Sequence, residues 1–371
     1  VRKTYEYRLR PTPAQERRLV ATLDACRHVY NWAIEDRKVL WQYAKCGTSF
    51  YDQSAYLKHL KAERPWLKEV HAHPLQDALR RVDRAFAAFF RRVKANQSPG
   101  YPRFHGRGWY DSFTMKDWEN GVAFDGKRLA LSKVGRLRIV LHRPIAGTIK
   151  TCTIKRRADG WYALFSVECA DVPRRIETNP VGVDVGLTTF AALSTGELIA
   201  NPRHAKAAAQ DVARAQRIVS KRTRGSERRG KAREILARRH LRLARTRRDF
   251  HFKTAHALAA RFSPIVVEDL HIAGMARHPT LAASIHDAGW GQFLGILARS
   301  AESAGAAYMA VEARGTSATC SACGEYVPKT LAERTHRCAA CGLVLDRDVN
   351  AARVILKRGW ASPSARRLRA S

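Results

Sequence analysis

Two Cys-x-x-Cys knuckles, Cys320-Ser321-Ala322-Cys323 and Cys338-Ala339-Ala340-Cys341, stand fourteen residues apart, and Asp346-Arg347-Asp348-Val349-Asn350 begins five residues after the last cysteine. Four thiolates at this spacing form the donor set of a closed tetrahedral zinc site, structural because no position stays open for a substrate. Cys320, Cys323, Cys338 and Cys341 are thus the candidate ligands of one Zn²⁺, which folds a module too small to bury a core alone. Three acids suggest different chemistry. Asp184 lies inside the β-branched run Val181-Gly182-Val183-Asp184-Val185, Glu268 ends Ile265-Val266-Val267-Glu268, and Asp348 sits where a helix would begin. Clustered carboxylates repel unless divalent cations lie between them. Two Mg²⁺ or Mn²⁺ ions about 3.5–4 Å apart are the usual means of activating water and stabilising the leaving oxygen in phosphodiester hydrolysis. Any one acid says little, since Asp348 could cap the helix and Glu268 could pair with an arginine. Strand side chains alternate, so Glu268 and Asp269 face opposite ways and only one can serve a given site.

The composition narrows the substrate. The 371 residues carry 67 Lys and Arg against 33 Asp and Glu, a net charge of +34 spread over the whole length. Such a self-repelling surplus is tolerable mainly when a polyanion neutralises it, which makes nucleic acid the default partner. No 18-residue apolar run is present, so no membrane partner is expected. Cys26, Cys46, Cys152 and Cys169 are scattered among apolar or aromatic neighbours and read as small buried hydrophobes in a reducing cytosol.

The elements that must position these groups follow from periodicity. Lys3 to Arg10 alternates as a half-buried strand ended by Pro11, and Thr12-Pro13-Ala14-Gln15 is a capping box that opens a helix carrying Leu19, Leu23, Cys26, Val29 and Tyr30. Further helices are predicted over Gln53–Ala62 and about Leu75–Lys94, the latter with Leu75, Leu79, Val82, Phe86, Phe89, Phe90 and Val93 as core. From Gly100 to Cys169 short strands, among them Pro102-Arg103-Phe104, suggest a barrel that the first strand joins, with the helices inserted between. Aromatics interleaved with basic residues there suit stacking on bases and contact with phosphates. A polar linker, Asp171–Pro180, leads to the Asp184 strand. Residues 201–250 hold seventeen Lys or Arg against four Asp or Glu and read as a basic helical hairpin broken around Gly225–Gly230. After the Glu268 strand come a helix over Ile285–Ala306 and a strand over Ala307–Val311. A final helix is predicted over about Val349–Lys357, then a basic tail expected to be disordered.

Val181 to Leu187, Ile265 to Leu270, Ser284-Ile285-His286-Asp287-Ala288-Gly289-Trp290-Gly291, the four knuckle cysteines and Leu345-Asp346-Arg347-Asp348-Val349-Asn350-Ala351-Ala352 together resemble the RuvC-like half of TnpB proteins. These are transposon-encoded, RNA-guided DNA endonucleases of the IS200/IS605 group, related to Cas12 effectors. Tyr7-Arg8-Leu9-Arg10-Pro11-Thr12-Pro13, Cys26 to Trp32 and Gly100-Tyr101-Pro102-Arg103-Phe104 extend the resemblance to the N-terminal half. It implies an α+β multidomain protein: a wedge-type β-barrel over 1–11 and 98–172, an inserted helical recognition bundle over 12–97, an RNase H-like (RuvC) α/β domain over 179–315 and 343–358, a zinc-ribbon insert over 316–342, and a tail over 359–371. It implies Asp184, Glu268 and Asp348 as ligands of Mg²⁺ or Mn²⁺ at a nuclease site, Asp348 rather than Asp346 being the family's ligand in Asp-x-Asp-x-Asn. Gln76 is implied as a contact to the short transposon-adjacent DNA motif, beside Tyr101, Arg103 and Phe104 as nucleic-acid contacts. Guide RNA and double-stranded target DNA would be the partners, in a cytoplasmic, nucleoid-associated prokaryotic protein whose oligomeric state the sequence leaves open, with a monomer favoured. A nuclease-inactive guide-dependent repressor and a compact Cas12-type effector are the alternatives of the same lineage, and no acid is lost as the first would require.

Overall fold

The computed structural model describes residues 1–175, 179–330 and 332–361. It is a mixed α+β structure of two compact units, Val1–Ala170 and Asp171–Ser371.

The first unit runs β1 (Arg2–Arg10), α1 (Pro13–Ala44), α2 (Phe50–Glu63), a 3₁₀ turn (Pro65–Glu69), α3 (Ala72–Lys94), β2 (Ser112–Met115), β3 (Val122–Phe124), β4 (Arg128–Leu131), β5 (Gly135–Val140), β6 (Thr148–Arg157) and β7 (Gly160–Glu168). The Thr12–Gln15 capping box opens α1, with the Thr12 side chain accepting from the Gln15 N–H and the Gln15 side chain accepting from the Thr12 N–H. The strands form one sheet in the order β2-β6-β7-β1-β5-β4-β3, so the strand that precedes the helices pairs centrally with β7 and β5. Phe124 on β3 and Phe165 on β7 are four strand spacings apart in that order, about 19 Å in a flat sheet. Their ring centroids lie 6.0 Å apart, so the sheet curls over its apolar face. The ladder stays open, with β2 and β3 at its ends. One core joins the sheet to α1, α2 and α3 through residues such as Tyr7, Phe113, Phe165, Leu19, Leu60 and Leu79.

Three expectations fail here. Phe90 and Val93 are 60% and 47% exposed, because the last turn of α3 runs past the core it packs on. Pro102-Arg103-Phe104 is loop rather than strand. Pro102 has no N–H to give a ladder, and the backbone of His105, which follows the run, pairs with the Asn31 side chain instead, which donates to its carbonyl and accepts from its N–H. Of the scattered cysteines, Cys26 and Cys152 are buried, but Cys46 is exposed and Cys169 only half-buried.

The second unit runs β8 (Val181–Val185), β9 (Thr189–Leu193), β10 (Leu198–Ala200), α4 (His204–Ser220), α5 (Glu227–Arg261), β11 (Ile265–Asp269), α6 (Ile272–Met275), α7 (Ala282–Ala288), α8 (Trp290–Ser303), β12 (Tyr308–Glu312), β13 (Thr335–Arg337), β14 (Val344–Asp346) and α9 (Arg347–Ala361). Its main sheet has the order β10-β9-β8-β11-β12; β8, β11 and β12 are parallel and β9 and β10 antiparallel to their neighbours. Alternation sorts its residues between two layers. Val181, Val183, Ile265 and Val267 pack with α5 and α8, whereas Val266 and Met309 pack with Ile355 of α9.

The basic hairpin is α4 and α5, broken at 221–226 with Gly225 at φ 86°, while Gly230 lies inside α5. Its second arm runs past 250 and ends in the core through Ala255, Leu258 and Ala259. The predicted helix over Ile285–Ala306 is two helices, since Gly289 at φ 64° closes α7 and opens α8. Asp287 accepts from the N–H groups of Ala205 and Lys206 (2.7 and 3.3 Å) and so caps α4. α9 extends to Ala361, taking in part of the predicted tail; residues 362–371, and the linker residues 176–178, lie outside the described residues.

Candidate metal centres

The parallel register of β8 and β11 sets Val267 beside Val183 as the last pair of their ladder; Asp184 and Glu268 are the next residue of each strand, near enough that the charge of Glu268 acts on Asp184. By alternation Asp184 shares a face with Gly182, and Glu268 with Val266, the face that α9 covers. Two glycines let α9 lie against the strands. A Cβ at Gly182 would stand 2.0 Å from the Ala352 carbonyl oxygen, and one at Gly359 would stand 2.5 Å from Val266 Cγ1. Asp348, one turn before Ala352, then reaches the same corner, with its Oδ2 3.9 Å from where a Gly186 Cβ would lie. All three acids therefore converge on one face at the ends of parallel strands.

The helix start separates the two acids of Asp346-Arg347-Asp348. Asp346 Oδ1 accepts from the N–H groups of Asp348 and Val349 (2.9 and 3.0 Å), so Asp346 is the N-cap and Asp348 is left to point at the strands. Arg347 Nε donates to Asp348 Oδ1 at 3.1 Å. Glu268 accepts from the Thr316 hydroxyl. Among the described residues no donor hydrogen-bonds Asp184, whose carboxyl is raised well above its usual range by burial, then by the negative charges of Glu268 and Asp348; Arg347 opposes the shift and Asp346 adds to it. Burial likewise raises Glu268, against Thr316 and Arg358. A carboxylate that is desolvated, without a donor and beside two like charges calls for a cation, and an all-oxygen donor set fits a hard divalent one.

Among the described residues the four cysteines are the one group of three or more His, Cys, Asp or Glu side chains drawn close enough to hold a metal ion, with all four sulfurs within 4.8 Å of one another; the three acids share a face without closing to that distance. Cys320 Sγ lies 3.6 Å from Cys341 Sγ, and Cys323 Sγ 3.6 Å from Cys338 Sγ. These are far longer than a disulfide and close to the ~3.8 Å edge of a tetrahedron with 2.3 Å Zn–S bonds. The two knuckles repeat one geometry. The N–H of Gly324 donates to the Cys320 carbonyl and that of Gly342 to the Cys338 carbonyl, each glycine having positive φ. Burial pushes the Cys320 thiol up, but the N–H groups of Cys323 and Ala322, with His336 and Cys341, outweigh it and bring it down to about 5. Cys323, although the Glu325 N–H favours its thiolate, is pushed up to about 12 by burial and by the other three sulfurs. One thiolate forms easily and the next ones need a cation between them, so the donor set fits a single zinc.

Two residues of this region were given no role by the sequence. Asn350, fully buried, donates from Nδ2 to the Thr319 carbonyl (2.8 Å) and accepts at Oδ1 from the Ser321 N–H (2.9 Å), tying α9 to the first knuckle. Thr316, 3% exposed, holds Glu268. The nearness of Asn350 to Asp348 and of Thr316 to Cys320 in the chain was the available signal.

The predicted nucleic-acid contacts lie in the first unit. Gln76 is half-buried on α3, with its Oε1 buried and without a hydrogen-bond partner. Arg103 is exposed, and Tyr101 and Phe104 are 47% and 52% exposed. Tyr101 rests edge-on against Phe86 and Phe89, both centroids at 5.5 Å, while Phe104 lines a cavity of about 410 Å³ with His28, Asn31, Trp32, Glu35 and Arg64. No helix among the described residues is long and apolar enough to cross a membrane.

Comparison with known proteins places this architecture. Residues 164–278 match the IS605 OrfB family, described as "Probable transposase", 290–355 match the Cas12f1-like TNB domain, and 1–46 match an OrfB helix-turn-helix domain. Here residues 1–46 form β1 and one long helix, α1. A Streptomyces pristinaespiralis protein named "Putative RNA-guided DNA endonuclease" is 34% identical over 98% of this chain and 90% of its own length. The Escherichia coli (strain K12) "Putative RNA-guided DNA endonuclease InsQ" is 29% identical over 97% of this chain and 92% of its own. The protein in a cryo-EM structure of a Cas12f1–sgRNA–target DNA complex shares the fold at TM-score 0.58 and 16% identity, over 95% of this chain and 83% of that one. With such a relative matched nearly end to end, the chain belongs to the OrfB family of IS605-type elements, the TnpB proteins.

Proposed function

We propose that this protein is an RNA-guided DNA endonuclease that cuts target DNA next to a short transposon-adjacent motif. The observation that carries the reading is the convergence of Asp184, Glu268 and Asp348 on one face of the sheet, from two parallel strands and one helix start. Asp184, Glu268 and Asp348 are the residues that would hold Mg²⁺ or Mn²⁺, which supplies activation of water and stabilisation of the leaving oxygen. The chain's own part is to aim these carboxylates: Thr316 holds Glu268, Arg347 holds Asp348, and Asp346 takes up the helix N-terminus so that Asp348 need not. Cys320, Cys323, Cys338 and Cys341 hold one structural zinc.

On this reading the β10-β9-β8-β11-β12 order, with β9 antiparallel, is an RNase H-like (RuvC) domain over 179–315 and 343–358, with a zinc ribbon over 316–342. The curled sheet over 1–11 and 98–172 is the wedge-type barrel, and 12–97 the recognition bundle. The surplus of positive charge grips guide RNA and DNA through their backbones, while RNA–DNA pairing supplies sequence specificity. On the same reading the exposed Tyr101, Arg103 and Phe104 contact nucleic acid in the first unit, as does Gln76, whose side chain is half-buried with its carbonyl oxygen inside. The test is Asp184→Ala in a reconstituted complex. Cleavage of a matched target should disappear while guide RNA and target binding remain. Undiminished cleavage removes the site assignment, and cleavage by a preparation free of RNA removes the guided one.

A further inference from the structure

Glu268 owes its direction to residues beyond its own strand. Its Oε1 accepts from the hydroxyl of Thr316, which also lies 3.0 Å from the Ala313 carbonyl. A hydroxyl has one proton, and the carboxylate is the stronger acceptor, so that proton goes to Glu268. Thr316 is itself fixed. The segment around it coils tightly, with Gly315 at φ 76° and the Gly315 carbonyl accepting from the Thr319 N–H and hydroxyl (2.9 and 2.8 Å). One end is pinned by Arg358, whose guanidinium donates to the carbonyls of Glu312 and Arg314, both at 2.8 Å. The other end is pinned by Asn350, through Thr319 and Ser321, on either side of Cys320. Both clamps come from α9, the helix that carries Asp348.

We propose that Thr316 is the positioning residue for Glu268, and that α9 and the four-cysteine module act on the nuclease site through it by holding the 313–321 segment in place. This inference rests on the reading of the acids as divalent-cation ligands. A glutamate has three rotatable side-chain torsions, and fixing them before the ion arrives removes an entropic cost from binding. Partners that orient a ligating carboxylate typically matter 10–100-fold in metal affinity. Thr316→Val keeps the branched shape and loses the hydroxyl; Thr316→Ser keeps the hydroxyl and loses a methyl.

The experiment is a Mn²⁺ titration, read by the electron paramagnetic resonance of free Mn²⁺, on the full chain freed of nucleic acid. Wild type, T316V, T316S and E268Q are compared, each with its zinc content and thermal midpoint measured. T316V should weaken Mn²⁺ binding by roughly 10–100-fold at unchanged zinc content, T316S should stay within about threefold of wild type, and E268Q should bind at least as weakly as T316V. Wild-type affinity in T316V beside weakened E268Q overturns the positioning role and leaves the acid site standing. An E268Q protein that binds like wild type, or a wild type that binds no Mn²⁺, overturns the acid site and the inference with it. If T316V fails to fold by circular dichroism, T316A is read by the same criteria.

Discussion

At the half-buried Asp184, protonation and stability are linked. Burial first, then Glu268 and Asp348, hold its carboxyl well above the 3.8 of an unfolded chain. Between those two values the folded state binds more protons than the unfolded one, so stability falls as pH rises through the folded value, and the loss is complete above it. Asp184→Asn should therefore raise the melting temperature in chelator at pH 7–8, at about 2–4 °C per kcal/mol for a unit of this size, and the gain should shrink as pH falls towards 4. Added Mg²⁺ should raise the wild-type midpoint and leave the variant's nearly unchanged; differential scanning fluorimetry reads both. Asp346 and Asp348 make a second contrast. Asp346→Ala loses the N-cap, about 1 kcal/mol of stability, and should keep cleavage within about tenfold. Asp348→Ala should keep its cap and lower cleavage by roughly 10³-fold or more. Spacing alone shows both acids equally, and it was the family resemblance that favoured Asp348. The backbone N–H groups of Asp348 and Val349 on Asp346 give the physical reason, since they occupy Asp346 as the cap.

At the scale of elements, α9 is the part on which the site depends, and the sequence carried half of that fact. The Asp184 and Glu268 strands were legible because β-branched runs that end in acids are rare, and parity alone put the two on one face once the strands paired in parallel. What puts α9 there was not legible: Gly182 and Gly359 look like ordinary small residues until the Ala352 carbonyl and Val266 are seen against them. The same limit explains Phe90 and Val93, since periodicity gives the face of a helix but not where the core under it ends. Pro102-Arg103-Phe104 shows that aromatic and basic alternation does not make a strand when a proline lacks the donor. Gly182→Ala tests the docking of α9. Its Cβ would overlap backbone atoms of the helix, which cannot swing aside as a side chain can, so a loss of about 2–4 kcal/mol is expected. Because the helix that must retreat carries Asp348, cleavage should fall further than stability at a temperature where the variant is fully folded. Denaturant melts beside a cleavage assay measure the two.

For the whole molecule, the net charge of +34 sets what it can associate with, and α4 and α5 concentrate part of that charge on one hairpin. Arg214, Arg217, Lys221 and Arg224 are exposed there, with no acidic partner among the described residues, whereas Arg239 is paired with Asp211 at 3.1 Å. Four unpaired cations near a phosphate backbone release condensed counterions on binding, about 0.7 per contact for a single strand. Replacing these four with Gln should leave the fold intact, since none is buried, and should weaken binding of RNA most at low salt. The slope of log affinity against log salt should become shallower by up to about 3, a magnitude that separates direct phosphate contact from a general change in net charge, which would shift affinity with much less change in slope. Replacement of Arg239 should move the slope less, because part of its charge is already spent on Asp211. An unchanged slope in the fourfold variant would place the RNA elsewhere on the molecule and leave the hairpin as a solvated arm.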